Sequence, residues 1–145
     1  MRIRNATDYE CKKILTYAST VIKESTMGFV KEDISASLQM MPKILADGGY
    51  YLVYMDDQMI VGWVGVGQSY NYFTDEVEGL IPELYVLPKY RKQGIAHALL
   101  EHAFARLKEA HFKKVQLNVF SGNPAKYLYE KLGFHDVSTL MEKEL

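Results

Sequence analysis

Glu83 is a charged residue inside an apolar run, residues 80–87, whose pattern is typical of a β-strand. A buried carboxylate without a partner is costly, so a glutamate at this place needs a reason. One reason is chemical, because a carboxylate beside a bound amine can take its proton, directly or through a water molecule. The sequence leaves a second interpretation open, in which Glu83 faces solvent or forms a salt bridge.

The turn that follows this strand, residues 91–96, has the composition of an anion-binding helix start. Gly94 and Ala96 carry little or no side chain, so backbone N–H groups at the helix N-terminus stay open to a ligand. Arg91 and Lys92 add positive charge at the rim. These residues suggest a ligand that carries phosphate, although a plain strand–helix connection with glycine in the turn would use the same spacing.

The rest of the chain supplies the elements that must position these two segments. Apolar periodicity and turn residues predict the order β-α-α-β-β-β-α-β-α-β, which is a mixed sheet with helices on its faces. Strands are expected around Ile3 and over 50–55, 59–68, 80–87, 115–120 and 134–144. Helices are expected over 11–22, over 34–45 after a cap at Asp33, and over 94–110, with Pro42 bending or ending the second. A short helix is expected to start at Pro124, after a cap at Asn123, and to end at Gly133. The glycine-rich segment 62–67 falls in a strand and indicates a bulge or close packing there.

Composition excludes several classes of protein. The chain has 145 residues, which predicts one domain over 1–145. Its net charge of −1 argues against nucleic acid as the main partner. One cysteine excludes an internal disulfide framework, the four histidines show no metal-ligand spacing, and no run approaches the ~18 apolar residues of a membrane span. We therefore expect a cytoplasmic protein without a metal, a membrane anchor or a nucleic-acid partner.

Two motifs resemble those of the GNAT family of N-acetyltransferases. Residues 91–96, Arg-Lys-Gln-Gly-Ile-Ala, match the family's Arg/Gln-x-x-Gly-x-Gly/Ala loop. Residues 123–134 are similar to its second signature, Asn-x-x-Ala-x-x-x-Tyr-x-x-x-Gly-Phe, with the alanine shifted to Ala125. The resemblance is sharp over residues 80–135 and only topological over 1–79. It implies an α/β fold with a central, mostly antiparallel mixed sheet that is splayed between its fourth and fifth strands, and with helices on both faces.

The resemblance also implies a site for acetyl-CoA as co-substrate. In such enzymes the amides of the 93–96 loop cradle the pyrophosphate, and pantetheine pairs with the fourth strand in the cleft that the splay opens. An asparagine at the position of Asn123 contacts the CoA arm, although asparagine before proline is also an ordinary helix cap. The residues expected to bind the cofactor are Leu84, Tyr85, Val86, Arg91, Lys92, Gln93, Gly94, Ile95, Ala96, Asn118 and Asn123.

The reaction implied by the resemblance is N-acetyl transfer, by direct attack of a primary amine on the thioester in a ternary complex. Tyr129 matches a tyrosine that lies near the CoA sulfur, where a phenol with a pKa of ~10 can protonate the departing thiolate. Glu83 is the candidate base, and backbone N–H groups near Val86 would stabilise the oxyanion. Tyr129 and Glu83 are thus the expected catalytic residues. A second hypothesis is a non-catalytic acyl-CoA-binding or sensor module of the same fold.

The acceptor amine is expected to belong to a small molecule or a peptide. Aromatic and acidic residues in a predicted loop, residues 70–78, would suit a cation, although an ordinary solvated loop has the same composition. Homodimers are common in the family, and no interface stripe in the sequence decides whether this chain forms one.

Overall fold

The computed structural model describes residues 2–31 and 34–145. Over these residues the strands are β1 (Ile3–Asn5), β2 (Tyr50–Asp56), β3 (Met59–Asn71), β4 (Glu76–Val86) and β5 (Val115–Gln116). The helices are α1 (Asp8–Leu15), α2 (Ala18–Ser25), α3 (Ser35–Leu38), α4 (Met40–Ala46), α5 (Ile95–Glu109) and α6 (Ala125–Lys131), and a 3₁₀ turn at Pro88–Tyr90 follows β4. The expected cap Asp33 lies outside the described residues.

The strands form one sheet in the order β1-β2-β3-β4-β5. Neighbours among the first four are antiparallel, whereas β4 and β5 are parallel, so the predicted mixed α/β architecture is confirmed. Among the described residues β4 and β5 pair only at Gly79 with Val115 and at Leu80 with Gln116, and β4 then continues to Val86. This is the splay predicted between the fourth and fifth strands, and it gives the second half of β4 a free edge.

The hairpin between β3 and β4 is longer than predicted. The loop expected over 70–78 is wrong, because strand pairing extends to Asn71 and Glu76. The Asn71 side chain then accepts hydrogen bonds from two backbone N–H groups in the turn, which closes the hairpin tightly. Polar and aromatic side chains are compatible with an exposed hairpin, so composition alone did not distinguish it from a loop.

Of the two strands predicted near the C-terminus, one is shorter than predicted and the other does not form. The strand expected over 115–120 ends at Gln116, because the splay removes its ladder partner. The strand expected over 134–144 is wrong, since that segment joins no ladder among the described residues. Its Leu140 and Met141 are adjacent, so no single strand face collects the apolar side chains, and both are exposed.

Two predicted helices are each divided in two. The helix expected over 11–22 is interrupted at Thr16 and Tyr17 between α1 and α2. The helix expected over 34–45 is interrupted at Gln39, and Pro42 lies in the first turn of α4, where a missing N–H costs no intrahelical bond. Among all the residues that the structure describes, no helix is long and apolar enough to cross a membrane.

A hydrophobic core lies on each face of the sheet. On one face α5 packs Leu99 and Leu100 against strand residues that include Val64, and α6 packs against the same core. On the other face α1, α2 and α4 pack against a core that includes Trp63 and Tyr51. Helices on both faces were predicted, and this prediction is confirmed.

Glycines in β3 allow α4 to approach the sheet closely. A Cβ at Gly67 would lie 2.8 Å from Ile44 Cγ2, and one at Gly65 would lie 2.9 Å from Met41 Cε. The glycine-rich segment 62–67 is therefore a closely packed strand, and its pairing with β4 shifts register between Gly65 and Gly67, so both of the predicted alternatives are found.

Candidate functional site

The free edge of β4 is the first feature of the candidate site. Leu87 donates its N–H to the Val61 carbonyl of β3 at 2.9 Å. Because the hydrogen-bonding direction alternates along an antiparallel strand, the backbone groups of Leu84 and Val86 face the opposite way, into the gap beside β5. No described strand pairs with this edge, so the N–H groups of Leu84 and Val86 are available to an extended ligand.

The loop before α5 forms a concave backbone surface. Lys92 has φ +62° and Gly94 has φ +82°, so two left-handed residues flank Gln93, and Gly94 is the N-cap of α5. Within the described residues the N–H groups of 93–96 make no backbone hydrogen bond. A Cβ at Gly94 would have no atom within 4 Å, so the space above the loop is open. Backbone of this kind at a helix N-terminus binds anions.

The two basic residues of the loop lie differently. Arg91 donates through Nε to the Val86 carbonyl at 2.8 Å and through Nη2 to Glu24 of α2 at 3.1 Å. Its guanidinium lies 5.2 Å from the centre of the Tyr85 ring, and burial together with a hydrogen bond to Glu24 raises the pKa of the Tyr85 hydroxyl. Arg91 therefore connects α2 to the end of β4, whereas the side chain of Lys92 is exposed to solvent.

Glu83 is half-buried on the face of the sheet that α1, α2 and α4 cover. Its Oε2 accepts hydrogen bonds from Trp63 Nε1 at 2.8 Å and from the Tyr51 hydroxyl at 3.2 Å. Burial raises the pKa of the Glu83 carboxyl, and the bonds from Trp63 and Tyr51 offset part of that rise. A carboxylate that is held by one oxygen and has a raised pKa is suited to accept a proton on the other oxygen.

Tyr129 lies on α6 and packs against the core on the opposite face. Its ring meets Phe134 edge-on at a centroid distance of 5.8 Å, and burial raises the pKa of its hydroxyl. In the described part of the chain this hydroxyl has no hydrogen-bond partner, yet no fully buried side-chain oxygen there is unpaired. The hydroxyl is therefore accessible. Glu83 and Tyr129 thus lie on different faces of the sheet, and a shared place for them in one active site stays a prediction.

The two asparagines of the predicted site have different surroundings. Asn123 Oδ1 accepts the Ala125 N–H at 2.9 Å, and Nδ2 donates to the Ser25 carbonyl at 3.0 Å. Asn123 thus caps α6, as its place before Pro124 predicts, and also joins α6 to the end of α2. Asn118 is exposed in the segment after β5. A contact of either asparagine with a cofactor stays a prediction.

Sequence reasoning missed the residues that hold Glu83 and Arg91 in place. Trp63, Tyr51 and Glu24 come from three other elements and are distant from their partners along the chain. No spacing rule connects such pairs. The one available signal is an aromatic residue with a polar tip inside an apolar strand, since that tip needs a partner when it is buried.

The acidic residues expected to face a cationic acceptor differ in their exposure to solvent. Glu78 is only 4% exposed and accepts bonds from Asn71 and Gln116. The expectation is wrong for Glu78, whose carboxylate does not face solvent, whereas Asp75 and Glu76 are exposed. In the described residues no group of side chains is arranged to hold a metal ion.

Comparison with known sequences identifies relatives of parts of this chain. A sequence model described as the acetyltransferase (GNAT) family matches residues 19–134. An N-alpha-acetyltransferase from Sulfurisphaera tokodaii is 40% identical over 65 residues, which cover 43% of this chain and 39% of that protein. A ribosomal protein bS18-alanine N-acetyltransferase from Haemophilus influenzae is 35% identical over 60 residues, which cover 41% of each chain. The chain thus spans about two fifths of the length of these two relatives.

A third relative is much longer than this chain. The cysteine-rich protein 2-binding protein of Homo sapiens is 33% identical over 86 residues, which cover 57% of this chain and 11% of that protein.

Solved structures share the fold over nearly the whole chain. A protein from Pyrococcus furiosus described as an acetyl transferase has a TM-score of 0.83 at 23% identity, with 99% of this chain and 98% of that chain covered. An acetyltransferase from Clostridium acetobutylicum, solved with acetyl-CoA, has a TM-score of 0.75 at 18% identity, with 98% and 94% covered. At these identities the likeness establishes the fold.

Proposed function

Because the chain belongs to the acetyltransferase (GNAT) family, we propose that it transfers an acetyl group from acetyl-CoA to a primary amine. The observation that carries this proposal is the free edge of β4 beside the loop of unpaired N–H groups. Amides of an extended ligand can pair with a free strand edge, and a pyrophosphate can bind to such a loop. Acetyl-CoA contains both groups, because its pantetheine arm carries amides and joins a pyrophosphate.

The placement of the backbone supports each proposed contact. The pyrophosphate accepts bonds from the N–H groups of residues 93–96, and Lys92 supplies a nearby positive charge. The pantetheine amides pair with the free edge of β4 at Leu84, and the Val86 N–H is left for the thioester oxygen. Arg91 contributes indirectly, because it fixes the end of β4, and the side chain of Tyr85 supports the guanidinium of Arg91.

In the proposed reaction Glu83 acts first. It takes a proton from the acceptor ammonium, directly or through a water molecule, and the neutral amine attacks the thioester carbonyl. As the C–N bond forms, negative charge develops on the carbonyl oxygen, and the Val86 N–H faces the gap where that oxygen would lie. The intermediate then collapses as the C–S bond breaks, and the Tyr129 hydroxyl gives its proton to the departing sulfur. The nitrogen of the new amide loses its second proton to solvent, from which the Tyr129 hydroxyl is reprotonated.

The acceptor is proposed at the level of its reacting group. The names of the relatives favour the α-amine of a peptide or protein as the first acceptor to test, and the amine of a small molecule is the other candidate. A cytoplasmic location belongs to the same proposal.

Acetyl transfer in vitro tests this function. The purified chain is incubated with acetyl-CoA and a panel of peptides and small primary amines, and thiol release is followed together with the mass of the acceptor. We expect amine-dependent thiol release and one added acetyl group. Binding of acetyl-CoA without acetylation of any acceptor would contradict the enzymatic proposal and favour the acyl-CoA-binding module. Failure to bind acetyl-CoA would overturn the site itself.

A further inference from the structure

Glu78 is a buried carboxylate that the proposed reaction does not use. It is 4% exposed, and its partners are two neutral amides on neighbouring strands. Asn71 Nδ2 of β3 donates to Oε1 at 3.0 Å, and Gln116 Nε2 of β5 donates to Oε2 at 2.6 Å. Burial of a carboxylate is costly, and the hydrogen bonds from the two amides offset that cost.

The bonds of Glu78 lie at the root of the gap between β4 and β5. The two strands are paired at Gly79 with Val115 and at Leu80 with Gln116, next to a bond from Gly79 N–H to the Lys114 carbonyl at 2.9 Å. Beyond Gln116 the strands separate. The Glu78–Gln116 bond therefore connects β4 to β5 through side chains at the place where the gap between them begins.

Close packing reinforces this junction from the α5 side. A Cβ at Gly79 would lie 2.9 Å from both terminal carbons of Leu107 and 3.3 Å from the Lys114 carbonyl oxygen. The strands and α5 thus have little room to shift at Gly79. The Glu78–Gln116 bond adds to this packing, because a hydrogen bond to a carboxylate is stronger than one between neutral side chains. Two ladder pairs alone would leave the angle between β4 and β5 weakly determined.

We propose that Glu78 is a positioning residue whose bond to Gln116 connects β4 to β5 and thereby sets the width of the gap into which acetyl-CoA binds. The inference rests on the proposed function, since it concerns affinity for acetyl-CoA. Glu78 does not touch the ligand. It acts through Gln116, because the position of that side chain determines where β5 begins to diverge from β4.

An exchange of the two partners tests the proposal. Gln116→Glu places a second carboxylate against Glu78, and repulsion pushes β5 away. Glu78→Gln combined with Gln116→Glu restores one amide and one carboxylate in reversed order. In alkaline buffer we expect Gln116→Glu to weaken acetyl-CoA binding about tenfold, the worth of one or two lost hydrogen bonds. The double variant should return to within about twofold of the wild type.

The control is Asn71→Ala, which removes the bond on the β3 side and leaves the Glu78–Gln116 bond in place. We expect it to lower Tm while the Kd for acetyl-CoA and the KM for the amine stay unchanged. If Gln116→Glu does not fold, Glu78→Gln alone serves, with an expected loss of about threefold.

Calorimetry with acetyl-CoA distinguishes a failure of the positioning role of Glu78 from a failure of the proposed function. Wild-type affinity in the folded single variants, or no recovery in the folded double variant, overturns the positioning role. An equal loss of affinity in Asn71→Ala would also overturn it, because the effect would then follow stability. A wild-type chain that does not bind acetyl-CoA contradicts the proposed function instead.

Discussion

Glu83→Gln isolates the chemical contribution of Glu83, because it removes a proton acceptor and keeps the shape of the side chain. The glutamine carbonyl oxygen can still accept bonds from Trp63 Nε1 and the Tyr51 hydroxyl, which are 2.8 and 3.2 Å from Oε2 in the wild type. General-base assistance is worth about 10²–10⁴-fold. Water can replace part of it, so we expect kcat to fall about 10²-fold, or roughly 2.7 kcal/mol in the barrier.

Other properties of Glu83→Gln should change little. The carboxylate contacts residues on the α2 side of the sheet, away from the loop of 93–96, so the Kd for acetyl-CoA should hold. Thermal stability should stay equal or rise, because a neutral amide costs less to bury than a carboxylate.

The pH dependence gives an independent signature. Burial raises the pKa of Glu83, so the wild-type rate should fall with acid below a midpoint that lies above the ordinary glutamate range. Because the folded state then binds the proton more tightly than the unfolded state, the contribution of Glu83 to stability decreases as pH rises through the same interval. Glu83→Gln should lack both effects.

Thiol release under conditions where chemistry limits the rate measures these differences. Glu76→Gln on the same strand is the matched control, since Glu76 is exposed, and its kcat should equal that of the wild type. A Glu83→Gln variant with wild-type kcat and an unchanged acid limb would refute the assignment of Glu83 as the base.

Three further predictions concern the second catalytic candidate, an ion pair and a packed turn. Tyr129→Phe should lower kcat about 10²-fold without changing acetyl-CoA affinity, whereas the exposed Tyr127→Phe should match the wild type; equal kcat in both would make Tyr129 a structural aromatic. The Arg4 guanidinium lowers the pKa of Glu10 to about 2, so the stabilisation from this pair is present above pH 4.5 and lost as pH falls toward 2. Because Arg4 is partly exposed, Glu10→Gln should lower Tm by no more than about 3 °C at neutral pH, and a difference that persists in strong acid would contradict the pair's role. Gly49→Ala would place a Cβ 2.7 and 2.9 Å from two backbone carbonyl oxygens, so a loss of about 1–3 kcal/mol is expected by thermal melting, and an equally stable variant would contradict the close packing.

The part of the fold that the sequence predicts best is the one governed by local rules. The second half of β4, the loop and α5 are found where apolar spacing and turn residues place them, and Gly94 adopts the left-handed conformation that a glycine at a helix start allows. Helix capping by Asn123 follows from the same kind of local rule. These features depend on residues only a few positions apart, so a single sequence contains their cause.

The partners of buried polar groups could not be predicted in this way. Periodicity indicates that Glu83 lies in a strand, but its bond to Trp63 spans 20 positions along the chain and depends on strand register. The bond from Arg91 to Glu24 spans 67 positions, and it directs the guanidinium toward α2. The polar composition around Glu78 predicts a loop. Its burial in a strand depends on two amides from other strands, which no local pattern indicates.

Binding of acetyl-CoA at the 93–96 loop is tested by measuring the affinity of Gly94→Glu for acetyl-CoA and comparing it with that of Gly48→Glu. Both glycines have positive φ, +82° and +93°, and a Cβ at either would have no atom within 4 Å, so the two substitutions impose similar backbone strain. Only Gly94 lies where the pyrophosphate is proposed to bind, and like charges in contact cost several kcal/mol. We predict that calorimetry shows binding about 10²-fold weaker for Gly94→Glu and unchanged for Gly48→Glu. Wild-type affinity in a folded Gly94→Glu variant would contradict the placement of acetyl-CoA at this loop.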